Sequence, residues 1–357
     1  MKKTIYSAVL GALLTMSATQ ALAVDVTFDG AIRQYIETDR ITGLGSNSTT
    51  SKEDDRNPGV KLTSFISKFG VTVVEPLNDI SPGLKLKATV VTDFYADSPT
   101  VGTTNTGPSN RSIMIGNNRS TVGFANDTFD VEVGRKAHLV WLSHAKYGSS
   151  KIGAVGDQQG TIVGEIHARQ KLRLNNGIYG SVKLGGGFTA MADYSLSEKA
   201  SVSDPYAVGI NWQGNGFDVQ YVHFDVRDGV AKTDLLAGAY TFENKARVSF
   251  IYSDDKYNVG NPNDTTLARN HTKGYSVAAQ YPMTQKWWLD LGAGHRDDGV
   301  DAASLGFRYL ASRNVTLISH LSVTKSDNPI YMTSANDFAG IYGTDRVNAG
   351  VGLQLAF

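Results

Sequence analysis

The last eleven residues of the chain, from Val347 to Phe357, alternate strictly between two kinds of side chain. Every odd position is apolar, while the even positions hold asparagine, glycine, glutamine or alanine. A period of two with one apolar and one polar or small face predicts a β-strand lying between two different environments. In a soluble sandwich the apolar face would cover a core, whereas in a membrane barrel it would contact lipid. One strand leaves both possibilities open.

The same alternation recurs along the chain and predicts about sixteen strands. They are expected near residues 24–38, 61–76, 83–95, 117–125, 129–135, 174–184, 187–197, 206–213, 217–226, 233–242, 246–253, 274–283, 287–295, 301–309, 315–325 and 347–357. The connections alternate in length. Short turns carry glycine, asparagine or proline, as in Gly214-Asn215-Gly216, whereas most of the intervening loops are longer. Short turns at one end and long loops at the other are typical of a transmembrane antiparallel β-barrel.

Aromatic residues provide an independent test of the barrel. One group lies within a few residues of the short turns: Trp212, Phe217, Phe242, Tyr281, Trp287, Trp288 and Tyr309. A second group lies near the ends with long loops: Tyr35, Tyr95, Tyr194, Tyr206, Tyr252 and Tyr275. Two girdles are expected where strands cross the two membrane interfaces. A barrel of about sixteen strands is wide enough to enclose an aqueous channel.

The first residues predict an exported protein. Lys2 and Lys3 precede an apolar run from residue 8 to 14, and Ala21-Leu22-Ala23 ends the segment, so residues 1–23 are expected to form a cleaved signal peptide. The barrel domain would then occupy residues 24–357. The apolar run is too short for a membrane helix, and no later segment reaches the roughly 20 apolar residues that one needs. The chain has no cysteine, which excludes disulfides and thiol chemistry.

Charge is distributed unevenly. Without Lys2 and Lys3 the chain has 32 basic residues (34 less two) against 34 acidic ones, a formal charge of −2 that argues against nucleic-acid binding. The region from about 136 to 173 has six basic residues and two acidic ones, a charge of +4. It contains Lys136, Lys146, Lys151, Arg169, Lys171 and Arg173 against Asp157 and Glu165. Strand parity directs further basic side chains into the lumen: Arg33, Lys68, Lys85, Lys87, Arg119 and Lys183. Clustered charge in a cleft with low-dielectric walls focuses the electric field, so the pore is predicted to favour anions.

Two other kinds of chemistry were considered. Ser143 and His144 are adjacent in sequence and Asp157 follows, but a nucleophile needs a hydrogen-bonded base and a third orienting group, which an irregular loop does not supply. Asp254 and Asp255 could hold a divalent cation loosely. Solvated loop charge, or a site that bridges to lipopolysaccharide, is the alternative reading. No enzyme activity and no cofactor are predicted.

With these features in place, the chain resembles the general trimeric porins of Gram-negative bacteria over essentially the whole length after the leader. The resemblance rests on Ser67-Lys68-Phe69-Gly70 in the first full hairpin and on Phe129–Val133 followed by Gly134-Arg135-Lys136. The return strand Arg173–Ile178 and the terminal Phe357 complete it. The chain departs from the family in its third loop, where residues 156–160 read Gly-Asp-Gln-Gln-Gly in place of an acidic Pro-Glu-x-Gly-Gly element.

The resemblance implies a sixteen-stranded barrel, three to a trimer, with short periplasmic turns, long extracellular loops and a third loop folded inward as a constriction. It places Lys68, Arg135 and Arg173 in a basic cluster that faces this loop. Arg135 shares the strand parity of Val131 and Val133, so its inward placement requires a bulge. Phe357 corresponds to the terminal aromatic residue that the barrel-assembly machinery recognises.

The sequence therefore predicts an outer-membrane channel for passive diffusion of small hydrophilic solutes, in contact with membrane lipids and lipopolysaccharide. Two alternatives remain open. A substrate-specific channel, for an oligosaccharide or an anionic nutrient, would require a row of aromatic or basic residues along the pore axis. A structural or adhesive barrel with a plugged lumen would not conduct.

Overall fold

The computed structural model of the chain describes residues 24–42, 61–63, 67–94, 118–148, 173–196, 204–226, 231–257, 271–297, 299–332 and 341–357. These residues form one closed antiparallel sheet and one short helix, α1 (Leu139–Tyr147). Seventeen strand segments are present within the described residues. Two of them, Lys61–Thr63 and Ser67–Pro76, both pair with the first strand, Asp25–Thr42, and count as one barrel strand, which gives sixteen. The predicted all-β barrel of about sixteen strands is confirmed.

The strands follow one another around the barrel in chain order. They are β1 Asp25–Thr42, β2 Lys61–Thr63, β3 Ser67–Pro76, β4 Lys85–Phe94, β5 Arg119–Ala125, β6 Phe129–Ala137, β7 Arg173–Gly185, β8 Phe188–Ser195, β9 Pro205–Gly214, β10 Phe217–Val226, β11 Ala231–Thr241, β12 Arg247–Tyr257, β13 His271–Pro282, β14 Trp287–Arg296, β15 Val300–Leu310, β16 Val315–Met332 and β17 Ile341–Ala356.

The barrel closes where the last strand pairs with the first. β17 runs antiparallel to β1, with Gln354 opposite Arg33 and Val351 opposite Ile36. Phe357 continues this pairing, since its backbone N–H donates to the carbonyl of Gly30 and its carbonyl accepts from the N–H of Gly30. Closure leaves no free sheet edge along the pore, as the backbone of a membrane barrel requires.

Side chains alternate between the two faces as the sequence predicts. In β13 and β15, exposed outward residues alternate with buried inward ones along the strand. The outward face has an aromatic girdle at the short-turn end. The ring centroids of Trp287 and Tyr309 lie 4.8 Å apart there, and those of Phe217 and Tyr240 lie 4.5 Å apart. Among the described residues, no helix is long and apolar enough to cross a membrane.

Two aromatic residues assigned to the girdles face the lumen instead. Tyr35 is buried on the inward face because Gly352 opposite it has no side chain; a Cβ there would lie 2.1 Å from the Tyr35 ring. Trp288 has the parity of Asp290, which is inward, and the Arg308 guanidinium lies 5.2 Å from its ring centroid. Tyr95 lies outside the described residues.

Strand lengths and the third loop also differ from prediction. β16 and β17 extend past the predicted ends, to Met332 and from Ile341, and pair with each other beyond a register shift after Lys325. Backbone pairing continues there although the apolar alternation stops. Helix α1 was not predicted, because it occupies only nine residues within a region without a regular pattern.

Candidate functional site

The lumen wall formed by β4, β5 and β6 has a cluster of charged side chains, here called the basic wall. Inward positions on these strands hold Lys87, Arg119 and Glu132, and Lys136 follows at the end of β6. The Glu132 carboxylate is almost fully buried, with 1% of its side chain exposed. Its Oε1 accepts hydrogen bonds from Arg119 and from Lys87 at 2.7 Å, and its Oε2 accepts one from Lys136 at 2.6 Å.

Lys136 has the strand parity of Glu132 and so faces the lumen with it. The pairing of β6 with β7 shifts register between Gly134 and Lys136, where three steps on β7, from Gly177 to Leu174, face two steps on β6, so the extra residue lies on β7. Gly134 has φ +129°, and a Cβ there would lie 2.1 Å from the carbonyl oxygen of Ser120. Only glycine fits such a backbone without strain. β5 and β6 pair without a register shift through Gly134 and Arg135, so the bulge expected at Arg135 does not occur between these two strands.

Arg135 itself lies opposite Ser120, in register with the outward residues Val131 and Val133. Arg173 lies opposite Ala137 at the start of β7. Asp157, Glu165 and Arg169 lie outside the described residues. The grouping of Lys68, Arg135 and Arg173 inferred from the resemblance stays a prediction.

The other predicted lining residues are spread over a wide arc of the lumen. Lys68 lies opposite Ala31 and Asp93, both on the inward face, and Arg33 follows two residues after Ala31 on β1. Lys85 lies two residues before Lys87, nearer the short-turn end, and is exposed. Lys183 is exposed opposite Thr189, also near a short turn. The structure brings Arg119 and Lys136 together, while these four basic residues lie apart from them.

Sequence reasoning missed two members of the basic wall, Glu132 and Asp130. Asp130 Oδ2 accepts a hydrogen bond from Lys87 at 2.5 Å and is partly exposed. Both acids alternate with Val131 and Val133, so strand parity could have placed them in the lumen. Three basic and two acidic groups leave this wall with a net charge of +1.

Helix α1 packs against the inside of β8 to β12, here called the helix wall. Its residues Leu139, Val140 and Tyr147 are buried against apolar inward side chains from these strands, among them Val222 and Leu235. The inward residues Val222 and Phe224 of β10 and Leu235 of β11 are apolar, and Tyr221 and Leu236 lie on the outward face. This part of the wall departs from the alternation of a water-lined strand, a pattern in the sequence that could have indicated a covered inner face.

Polar contacts fasten both ends of α1. At its start, the N–H of Leu139 donates to Asp193 Oδ2 at 2.7 Å, which satisfies a backbone donor that His138 does not cap. At its end, the Tyr147 hydroxyl donates to Asp218 Oδ1 at 2.5 Å and Lys146 Nζ donates to the same carboxylate. Burial and the hydrogen bond to Asp218 raise the pKa of Tyr147, which keeps this hydroxyl a donor.

His138 and His144, the histidines of this loop within the described residues, are buried and uncharged at neutral pH. The His138 ring stacks on Phe224 with centroids 5.2 Å apart. Neither ring nitrogen of His138 or His144 has a hydrogen-bond partner. Burial lowers the pKa of His138 to about 3, with a further contribution from nearby His144, and burial lowers the pKa of His144 to about 4. His138 and His144 both lie after the end of β6, in the loop and outside the membrane-spanning strands.

The geometry does not form a nucleophile from Ser143 and His144. Ser143 Oγ donates to the Leu139 carbonyl at 2.8 Å and accepts from Gln220 at 2.9 Å. The candidate cation site at Asp254 and Asp255 does not form either, because the two carboxylates lie on opposite faces of the strand. Asp254 faces outward to His271, while Asp255 is buried inward against Thr233. Among the described residues, no group of three metal-binding side chains occurs.

Comparisons with known proteins agree with this architecture. The family model for Gram-negative porins matches residues 7–329. An anion-selective porin from Comamonas acidovorans is 17% identical with a TM-score of 0.70, over 94% of this chain and 100% of that one. The trimer form of OmpT, an outer membrane protein of Vibrio cholerae, is 15% identical with a TM-score of 0.65, over 94% and 100%. A comparison with curated protein sequences finds no significant match.

Proposed function

Because the chain belongs to the Gram-negative porin family and is an outer-membrane β-barrel channel, we propose that it conducts small hydrophilic solutes and ions by passive diffusion with a preference for anions. The basic wall is the observation that carries the preference. Lys87, Arg119 and Lys136 gather at one place on the lumen surface, where they exceed their acidic neighbours by one charge. Each of the three side chains is 20–27% exposed, so permeating ions reach them.

The lumen gives this charge a directional effect. Helix α1 covers the helix wall with apolar groups, and Lys146 there is paired with Asp218, whereas the three cations of the basic wall outnumber their two acidic partners. A field from one wall of a narrow aqueous passage attracts anions and repels cations at low ionic strength. The similar Comamonas protein, described as anion-selective, supports the same preference.

Measurement of the zero-current potential across a planar bilayer under a salt gradient tests this proposal. We expect a higher permeability for chloride than for potassium, with a preference that weakens as the Debye length falls from about 30 Å at 0.01 M to about 3 Å at 1 M. Preference for cations at low salt would overturn the anion assignment. Block by micromolar amounts of a single sugar or anionic nutrient would indicate a specific channel instead, and absence of conductance would indicate a plugged barrel.

The proposal also covers the export, assembly and binding partners of the chain. Residues 1–23 would be a signal peptide, and the barrel would occupy residues 24–357 with its constriction loop at about 136–173. Assembly as a homotrimer is supported by the trimer form of the similar Vibrio protein. Phe357 would be read by the barrel-assembly machinery; its ring lies outward over Gly30, 6.4 Å from the Phe69 ring. Lipids and lipopolysaccharide would contact the outward face.

A further inference from the structure

Glu132 is an acidic residue at the centre of a basic cluster. On β6 it lies opposite Gly123 of β5 and Tyr179 of β7. A Cβ at Gly123 would lie 2.7 Å from the Glu132 Cα, so the neighbouring strand leaves just enough room. Its carboxylate is held inside the layer of lumen side chains and does not project into the pore.

Three cations from three separate places meet at this carboxylate. Lys87 comes from β4, Arg119 from β5 and Lys136 from the end of β6. Lys87 and Arg119 share one carboxylate oxygen, while Lys136 binds the other. Without the carboxylate, like charges this close would repel one another and separate, since two unit charges 4 Å apart interact strongly even with partial solvent screening.

We propose that Glu132 is a specificity-determining residue of the channel. It holds the three basic groups at one point of the lumen wall and cancels part of their charge. The wall therefore attracts anions at a fixed place, but less strongly than its three cations alone would. This inference rests on the proposed channel function and specifies which residue sets the size of the preference.

Asp130 provides a matched control on the same strand. It faces the same wall two residues away and carries the same charge, but it binds only Lys87 among the three cations and is 39% exposed. D130N and E132Q each remove one negative charge from the basic wall. If charge alone mattered, the two variants would change selectivity equally. If Glu132 acts as proposed, E132Q has the larger effect, because solvent screens Asp130.

The experiment measures zero-current potentials for the wild-type chain, E132Q, D130N and E132D in planar bilayers under a tenfold potassium chloride gradient at low salt. We expect E132Q to raise the chloride-to-potassium permeability ratio about threefold, in proportion to one uncompensated charge beside a hydrated ion. D130N should raise it less than twofold, and E132D should stay near the wild-type value. Equal effects of E132Q and D130N, or a shift of E132Q towards cations, would overturn the inference.

A second pair of variants tests the inference if the E132Q barrel does not assemble. E132Q/K136Q keeps the net charge of the wall and removes one of the three cations that would repel one another. K136Q alone should lower the chloride-to-potassium permeability ratio. We expect the double variant to return within about 1.5-fold of the wild-type ratio, since the wall then has its original charge. A double variant that stays as low as K136Q would contradict the inference. A cation-preferring wild type that still responds to E132Q as expected would overturn only the anion assignment.

Discussion

The basic wall and the helix wall use charged residues in opposite ways. On the basic wall, Lys87, Arg119 and Lys136 surround one buried carboxylate and keep a net positive charge at the lumen surface. On the helix wall, Asp218 binds Lys146 and Tyr147 of the third loop, and its charge is used to hold a helix in place. The difference separates two roles within one lumen: the proposed anion preference rests on one wall, while the other holds helix α1 in place.

The basic wall depends on a backbone feature, and G134A should show the largest effect. Alanine at φ +129° with a Cβ 2.1 Å from the Ser120 carbonyl oxygen would strain β6 between Glu132 and Lys136 and displace Lys136. We expect a loss of roughly 3 kcal/mol or more in barrel stability, from backbone strain and overpacking together. The urea midpoint of the folded barrel measures it. G180A is the control, because a Cβ at Gly180 meets nothing within 4 Å; equal midpoints would contradict the prediction.

The helix wall depends on a side chain, and D218A should release the end of α1. This change leaves Lys146 and the Tyr147 hydroxyl without their acceptor. We expect the free energy of local opening for residues 139–147 to fall by about 2 kcal/mol, as measured by amide hydrogen exchange. Q213A removes another hydrogen bond to the same carboxylate without touching the helix, and should leave exchange nearly unchanged. Unaltered protection of α1 in D218A would contradict the proposed fastening.

Acidification should loosen the helix wall by a smaller amount. Burial lowers the pKa values of His138 and His144 to about 3 and about 4, so below pH 6.5 only the opened loop binds protons there. The stabilisation is therefore complete above about pH 6.5 and declines as the pH falls towards 4. Between pH 7 and pH 6 we expect the two histidines to contribute a loss of about 1 kcal/mol to the opening free energy of α1.

Hydrogen exchange at α1 across this pH interval, compared with exchange in the strands, measures the loss. Other ionisable groups also contact this region: Asp193 at the start of α1, and Lys146 and Asp218 at its end. H144L removes one of the two titrating rings and should reduce the pH dependence by about half. An H144L variant with the pH dependence of the wild type would assign the effect to the other groups.

Much of the barrel could be predicted because its physical cause is local. A strand between lipid and water needs an apolar face and a polar face, so the period of two in Val347–Phe357 and in the other strands appears directly in the sequence. The short turns at Asn215 and Gly216 were predictable for the same reason, since their positive φ angles require glycine or asparagine. Strand parity also predicted Arg119 for the lumen, and its guanidinium binds the carboxylate of Glu132.

The remaining features depend on contacts between distant residues. No local pattern predicts that Lys87, Arg119 and Lys136 share one carboxylate, because the register of β4, β5 and β6 brings them together. Helix α1 forms where inward apolar residues such as Val222 cover it, and its own nine residues show no pattern that predicts it. The sequence by itself determined the barrel, its approximate strand number and the faces of its side chains, because these follow from the local periodicity. Only the tertiary structure decided which charges balance one another and which wall holds the loop, because electrostatic pairing depends on distances across strands.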